Sequence, residues 1–336
     1  MTYLRPLVEP FLVALAGSFL LTPLLRRCAR RIGFVDLPTS RKIHQEPVAL
    51  LGGVAVYVAF AAAVVSQGTP RGPLLGLLLG AALLMLVGIA DDAKGMDPRI
   101  KLAAQVGAAS VAVACGVQTT FLGTAYLNIP FTLLWIVGIT NAFNLLDNMD
   151  GLAAGVAAIS ASTFAILASR YSNLGGEQAA TAIAAAALTG GCLGFLRYNV
   201  VRASIFMGDA GSMVLGFVLA SLAALGSWRG PTVPTSLLIP ILVLAYPIFD
   251  TTFVTLLRLQ EGRRVFQGGK DHSSHRLLSL GLGQTEAVLL IYLFALCHAL
   301  TAALVASVTF RLSLLALASS GFILFIFGAV LRKAKV

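Results

Sequence analysis

Roughly eleven apolar stretches run through this chain, each near the ~20 residues a helix needs to cross a bilayer. They fall at 7–25, 49–66, 74–90, 101–118, 127–143, 151–169, 178–196, 204–225, 234–257, 286–308 and 312–331. Within hydrocarbon, every backbone N–H and C=O must be paired inside its own helix or around a closed barrel. Stretches of this length select the helix. The fold class is therefore all-α, a polytopic integral membrane protein with about eleven transmembrane helices. Only 11% of the 336 residues are charged, against about 25% in a soluble domain. No Pro- or Ser-rich linker and no internal repeat divides the chain, so one domain over 1–336 is expected.

Basic residues thread these spans. Arg26, Arg27, Arg30 and Arg31 follow the first stretch, whereas a secretory signal carries its charge before it. The first helix is expected to stay as an anchor, N-terminus outside and C-terminus cytoplasmic. Nineteen of the 24 Lys and Arg then lie on the inner side; Arg5, Arg71, Arg170, Arg229 and Arg311 lie outside. This is the positive-inside pattern. It accounts for the net charge of +10 through topology and anionic headgroups, with no nucleic acid. Twelve of the 14 acids also fall inside, all but Glu9 and Glu177, and acids do little to orient a membrane protein. Their clustering predicts an active site facing the cytoplasm, built from loops 26–48, 91–101, 144–150, 197–209 and 258–285.

Ionisable groups at the edge of hydrocarbon are costly, and those retained there are functional candidates. Asp91-Asp92 abuts Leu86–Ala90; adjacent carboxylates repel, so one can bind metal while the other takes a proton. Asn141, Asn144, Asp147 and Asp150 recur every three residues, a spacing that shares one helical face. Four oxygen-bearing groups there suit a hard cation such as Mg²⁺. Gly208-Asp209-Ala210-Gly211-Ser212 opens a span whose N-terminus favours anionic oxygens, and Asp209 is the best single candidate for a metal ligand. Arg41-Lys42-Ile43-His44 and His272-Ser273-Ser274-His275-Arg276 complete the set. A zinc reading of the histidine pair is disfavoured, because no Cys and no His-Glu-x-x-His helix accompanies it. His298, alone in mid-span, reads as structural, and the four scattered cysteines as small buried residues.

Taken together, Asp91-Asp92, the Asn-x-x-Asn-Leu-x-Asp-x-x-Asp-Gly block at 141–151 and Met207-Gly208-Asp209-x-Gly-Ser resemble the polyprenyl-phosphate N-acetylhexosamine-1-phosphate transferases. The resemblance extends from Arg41 to Arg276. It implies transfer of N-acetylglucosamine 1-phosphate, or a related N-acetylhexosamine 1-phosphate, from a UDP-sugar to undecaprenyl phosphate. UMP is released, and cell-envelope polysaccharide synthesis begins in the inner (cytoplasmic) membrane. The resemblance implies Mg²⁺, with Mn²⁺ as a substitute, held by Asp209 and Asn144 with Asp147 beside them. It implies catalytic roles for Asp91, Asp92, Asp147 and Lys101, with Asp91 or Asp92 deprotonating the lipid phosphate. Lys42, His44, Asn141, Asp150, Asn199, His272, His275 and Arg276 are the implied substrate contacts: Lys42 for phosphate, Asp150 and Asn199 for uridine, and 272–276 as a sugar–diphosphate clamp. One-step transfer and a covalent aspartyl intermediate both stay open, as does a homodimer.

The His-x-x-His-Arg ending looks like the branch making undecaprenyl-diphospho-N-acetylglucosamine. Asn148 departs from the Gly of many members. The muramoyl-pentapeptide branch, which carries adjacent histidines in this loop, is the nearest alternative. A transporter with an inner-side acidic path is an alternative of another class, but it predicts ionisable groups near the bilayer midplane. An aspartate-rich prenyltransferase would share the metal logic without needing the histidine loop.

Overall fold

A computed structural model describes residues 5–38, 46–170, 176–200, 202–264, 269 and 271–334. Its contacts gather into two compact units, Met1–Ser227 and Trp228–Val336. The first holds α1 (Arg5–Arg31), α2 (Gly52–Ser66), α3 (Gly72–Lys94), α4 (Pro98–Ala114), α5 (Ala125–Leu146), α6 (Leu152–Ser169), α7 (Gly176–Asn199) and α8 (Gly208–Leu225). The second holds α9 (Val233–Val243), α10 (Ala245–Gln260), α11 (Ser273–Ser279), α12 (Gln284–Val305) and α13 (Phe310–Leu331). All-helical architecture with many apolar spans is thus what the chain adopts. Among the described residues eight helices are long and apolar enough to cross a membrane, and nine if the bent pair α9–α10 counts as one.

Every one of the predicted apolar stretches is helical, with local differences. α2 has 15 residues and α4 has 17, short of the ~20 of a full span. The stretch 234–257 is broken, its halves bent by 79°. Pro247 has no N–H to bond the carbonyl of Val243, so it fits only the first turn of a new helix. The stretch 204–225 becomes helical only at Gly208. Before it, Ile205 bridges Ala49, and Phe206 N donates to the Ala49 carbonyl at 2.8 Å. Ala49 belongs to β2 (Val48–Ala49), which pairs antiparallel with β1 (Val35–Asp36).

In the first unit α6, α7 and α8 are buried along most of their length. The Ala-rich run of α7 lets α1, α2 and α6 approach it closely, as small residues do in membrane helices. Outer helices present Leu12, Leu20, Leu79, Leu86 and Leu134, the apolar exterior that lipid covers. In the second unit Phe249, Phe294 and Phe327 tie α10, α12 and α13 together, with centroids 4.5–5.9 Å apart. His298 is buried, its Nδ1 2.8 Å from the Phe294 carbonyl. All four cysteines are free.

Candidate active site

The site in the first unit forms where α3 ends and α8 begins. A Cβ on Gly88 would run into the backbone of Asp209 and Ala210, so only glycine allows this approach. One turn further on, Asp91 and Asp92 reach the start of α8 and take different partners. The Asp92 carboxylate accepts the backbone N–H groups of Asp209 (2.9 Å) and Ala210 (3.2 Å). It caps α8, taking two N–H groups that a helix start leaves unpaired. The helix N-terminus expected to receive anionic oxygens of a ligand is thus already occupied by this side chain. Gly208, at φ 71°, turns the chain beside Asp92 in a conformation that suits glycine.

Asp91 meets Lys101 instead. The Lys101 ammonium lies 2.9 Å from Asp91 Oδ2 and 2.7 Å from Asp209 Oδ2. Asp97, whose carboxylate accepts the Arg99 N–H at 2.7 Å, caps α4 and so places Lys101 in its first turn. On the other side, the Asn144 amide donates to Asp209 Oδ1 and, at 3.0 Å, to the Ser212 hydroxyl. Helices α3, α4, α5 and α8 therefore each send a group to one point.

The four-residue register from 141 to 150 does not stay on one face, because α5 ends at Leu146. Asn141 turns to Gln105, its amide donating at 2.6 Å; Gln105 is 1% exposed. Gln105 was legible only as a polar residue inside the apolar stretch 101–118. Asp147 follows the end of α5 at φ −77°, ψ 55°. Loss of water pushes its carboxyl up to about 8, assisted by the charges of Asp209, Asp92 and Asp150. Asp150 accepts the Ala203 N–H at 2.9 Å. Asn199 is buried, accepting the Gly151 N–H (2.9 Å) and donating to the Ile205 carbonyl (3.0 Å). Both residues read as uridine contacts are therefore engaged with backbone, tying the loop before α8 to the α5–α6 turn.

A divalent cation suits this donor set. Asp91 and Asp209 share the Lys101 ammonium, and the Asp147 carboxyl is raised first by burial and then by the charges of Asp209, Asp92 and Asp150. Among the described residues no three His, Cys, Asp or Glu side chains form a closed metal cage. Mg²⁺ needs none, since it binds through one or two protein oxygens and takes the rest from phosphate and water.

The second unit has its own polar cluster. Asp250 on α10 accepts the Ser273 N–H at 2.7 Å and lies 2.8 Å from His272 Nδ1. The Tyr246 hydroxyl lies 2.8 Å from Ser273 Oγ. Arg258 grips Asp271 with two bonds of 2.8 and 2.6 Å, and Arg263 adds a third at 3.1 Å. Against the effect of burial, the Arg258 guanidinium holds the Asp271 carboxyl down at about 2. Arg276 is 5% exposed. It donates to the carbonyls of Asp271 (2.9 Å), Leu331 (3.3 Å) and Ala334 (3.1 Å). The guanidinium assigned above to a sugar diphosphate thus closes the C-terminal end of α13. His275 is half-buried. Asp250 and Tyr246 were not among the expected site residues; a carboxylate inside an apolar stretch was the available signal. Lys42 and His44 lie outside the described residues.

Comparison with known proteins addresses this arrangement. Residues 74–227, which carry all the groups around Asp209, match glycosyl transferase family 4. Over 97% of its length the chain is 36% identical to a probable undecaprenyl-phosphate N-acetylglucosaminyl 1-phosphate transferase of Bacillus subtilis, covering 91% of that protein. A decaprenyl-phosphate N-acetylglucosaminephosphotransferase of Mycolicibacterium smegmatis is 36% identical, over 86% of this chain and 80% of its own. An undecaprenyl-phosphate alpha-N-acetylglucosaminyl 1-phosphate transferase of Yersinia pestis is 32% identical, over 88% and 82%. Likeness of this extent is not confined to one motif, and the chain belongs to the polyprenyl-phosphate N-acetylhexosamine-1-phosphate transferases of glycosyl transferase family 4.

Proposed function

We propose that the protein transfers N-acetylglucosamine 1-phosphate, or a closely related N-acetylhexosamine 1-phosphate, from its UDP-sugar to undecaprenyl phosphate. The observation that carries this is the convergence of Asp91, Lys101, Asn144 and Asp209 at one point, within a chain related throughout to enzymes of this name. An oxygen of the lipid phosphate attacks the β-phosphorus of the UDP-sugar. The bond from that phosphorus to the bridging oxygen breaks, and UMP leaves with that oxygen.

Asp209 and Asn144 would hold Mg²⁺, or Mn²⁺ in its place, with Asp147 beside them, and the ion would offset charge on the diphosphate. Lys101 is already poised between two carboxylates and can turn its ammonium to phosphate oxygens, where charge develops. Asp91 is better placed than Asp92 to take the acceptor's proton, because Asp92 is occupied in capping α8. Asp250 holds His272 by one ring nitrogen and so orients the other, and His275 stands three residues on for the sugar. The reading sets the N-terminus outside with about eleven crossings and the groups around Asp209 facing the cytoplasm, and the charge asymmetry supports it.

The test uses protein purified in detergent, radiolabelled UDP-N-acetylglucosamine and undecaprenyl phosphate, with other UDP-sugars in parallel. Label should pass to the lipid with one UMP per transfer, and chelation of divalent cations should stop it. Turnover of the muramoyl-pentapeptide precursor alone would overturn the branch assignment. No transfer from any UDP-sugar would overturn the activity.

A further inference from the structure

A second polar feature of the first unit has no part in this chemistry. A cavity of about 390 Å³ opens between the ends of α1 and α7 and the segment beyond α7, lined by Phe19, Arg26, Arg197, Tyr198, Arg202 and Ser204. Three of the lining residues are arginines. Among the described residues none of the three has a carboxylate partner or a hydrogen bond. Arginines of one sign around a single hollow repel each other, and an anion there offsets that repulsion.

Orientation of the positive charge by topology alone would scatter these side chains; it does not require them to share a cavity. Arg202 also holds φ 62°, a left-handed conformation that costs a non-glycine residue energy. On its apolar side the cavity is walled by Phe19, 43% exposed and paired with Tyr198 at 5.5 Å. Leu20 and Leu24, in the second half of α1, are 62% and 56% exposed. A basic hollow with a lipid-facing apolar wall, at the end of two membrane-length helices, matches a phosphate headgroup with its chains attached.

We infer that this cavity is a binding site for the phosphate headgroup of an anionic phospholipid. The segment that lines it also reaches the active site. Ser204 bonds the Tyr198 carbonyl through its N–H (2.9 Å) and hydroxyl (3.1 Å). Its neighbour Ala203 donates to Asp150. A headgroup held by Arg197 and Arg202 therefore steadies the loop that Asp150 and Asn199 fasten to the α5–α6 turn.

The test reads binding, so it stands apart from whether the proposed transfer is correct. The full-length protein is released from detergent with phosphatidylglycerol, phosphatidylcholine, undecaprenyl phosphate or inorganic phosphate, and retained lipid is counted by native mass spectrometry. Phosphatidylglycerol should be retained over phosphatidylcholine. Arg197→Gln and Arg202→Gln should each weaken it about fivefold, from the usual contribution of one basic residue at an anionic surface. Arg197→Lys keeps the charge and should retain most of the binding, which separates loss of charge from misfolding. Three results overturn the inference: equal retention by the Gln variants, equal retention of phosphatidylcholine, or retention of undecaprenyl phosphate or inorganic phosphate but not of phosphatidylglycerol.

Discussion

Asp209 in the first unit and Asp271 in the second are both carboxylates beside apolar helices, and they are held in opposite ways. Asp271 has Arg258 in two bonds and Arg263 in a third, and it is 3% exposed. Asp209 shares one ammonium with Asp91, its side chain is 32% exposed, and Asp92 and Asp147 are further carboxyl groups with no cation of their own among the described residues. Charge in the second cluster is matched from within. In the first it is left in excess, and that excess is what a cation and a diphosphate would complete. Polar residues near a membrane edge thus divide into those that hold the protein together and those that wait for a ligand, and partners tell them apart where residue type does not.

The sharpest way to break this comparison is Asp209→Asn. The substitution keeps the size of the side chain and a hydrogen-bonding oxygen, so the protein should fold in detergent. It removes a charge placed where the transition state needs it, and turnover at saturating UDP-sugar should fall by at least 10²–10³, about 3–4 kcal/mol. Activity within a few-fold of the parent would mean that the excess charge of the first cluster has no catalytic use.

Arg276→Ala tests the other side. If Arg276 belongs to the internally matched cluster, its loss takes a donor from the Asp271 and Ala334 carbonyls, while Leu331 keeps the Ala334 N–H. Stability should drop by roughly 2–3 kcal/mol, from unsatisfied buried acceptors, read as a lower melting temperature and reduced yield. A variant that melts like the parent but shows a raised KM for UDP-sugar would move Arg276 to the ligand-binding side.

The sequence made the first cluster easier to read than the second. Asp91, Asp92, Asn144 and Asp209 stand out because polar groups bordering long apolar runs are expensive, and the structure brings all four to one place. What the spacing could not supply is which partner each takes. Asp92 caps a helix that begins 116 residues later in the chain, and no local pattern encodes that. The three-residue register at 141–150 suggested a shared face, but a helix that stops at Leu146 sends Asn141, Asp147 and Asp150 in different directions. Helix positions were legible for the same reason as the membrane itself, from the length of apolar runs. The break at Leu244 was not, because a proline inside a span more often kinks a helix than ends it.

Acid should act on the second cluster in a defined window. Asp271 has a folded value of about 2, below the ordinary carboxylate value of 3.8. A depressed carboxylate contributes stability that is present above about pH 4 and disappears as pH falls through its folded value, here worth about 2 kcal/mol. Thermal melts between pH 5 and pH 2 should therefore show a loss that Asp271→Asn no longer shows, the variant being already destabilised at pH 7. Parallel pH dependence in parent and variant would remove Asp271 from the matched set.

The smallest effect is expected at Asp92, and its neighbour Asp91 is the control. Asp92 accepts two N–H groups at the start of α8, a role that asparagine also fills well. Asp92→Asn should cost about 1 kcal/mol of stability or less and leave measurable transfer. Asp91→Asn removes one of the two carboxylates that hold Lys101, together with the group best placed to take the acceptor's proton. Its loss should be larger, on the order of 10²–10⁴ in rate, the usual scale of a general base. Both variants should be assayed with saturating lipid acceptor, so that weaker binding does not pass for slower chemistry. A larger loss in Asp92→Asn than in Asp91→Asn would reverse the assignment. It would place the reacting carboxylate at the α8 N-terminus, and the cap would then be a resting arrangement that substrate displaces.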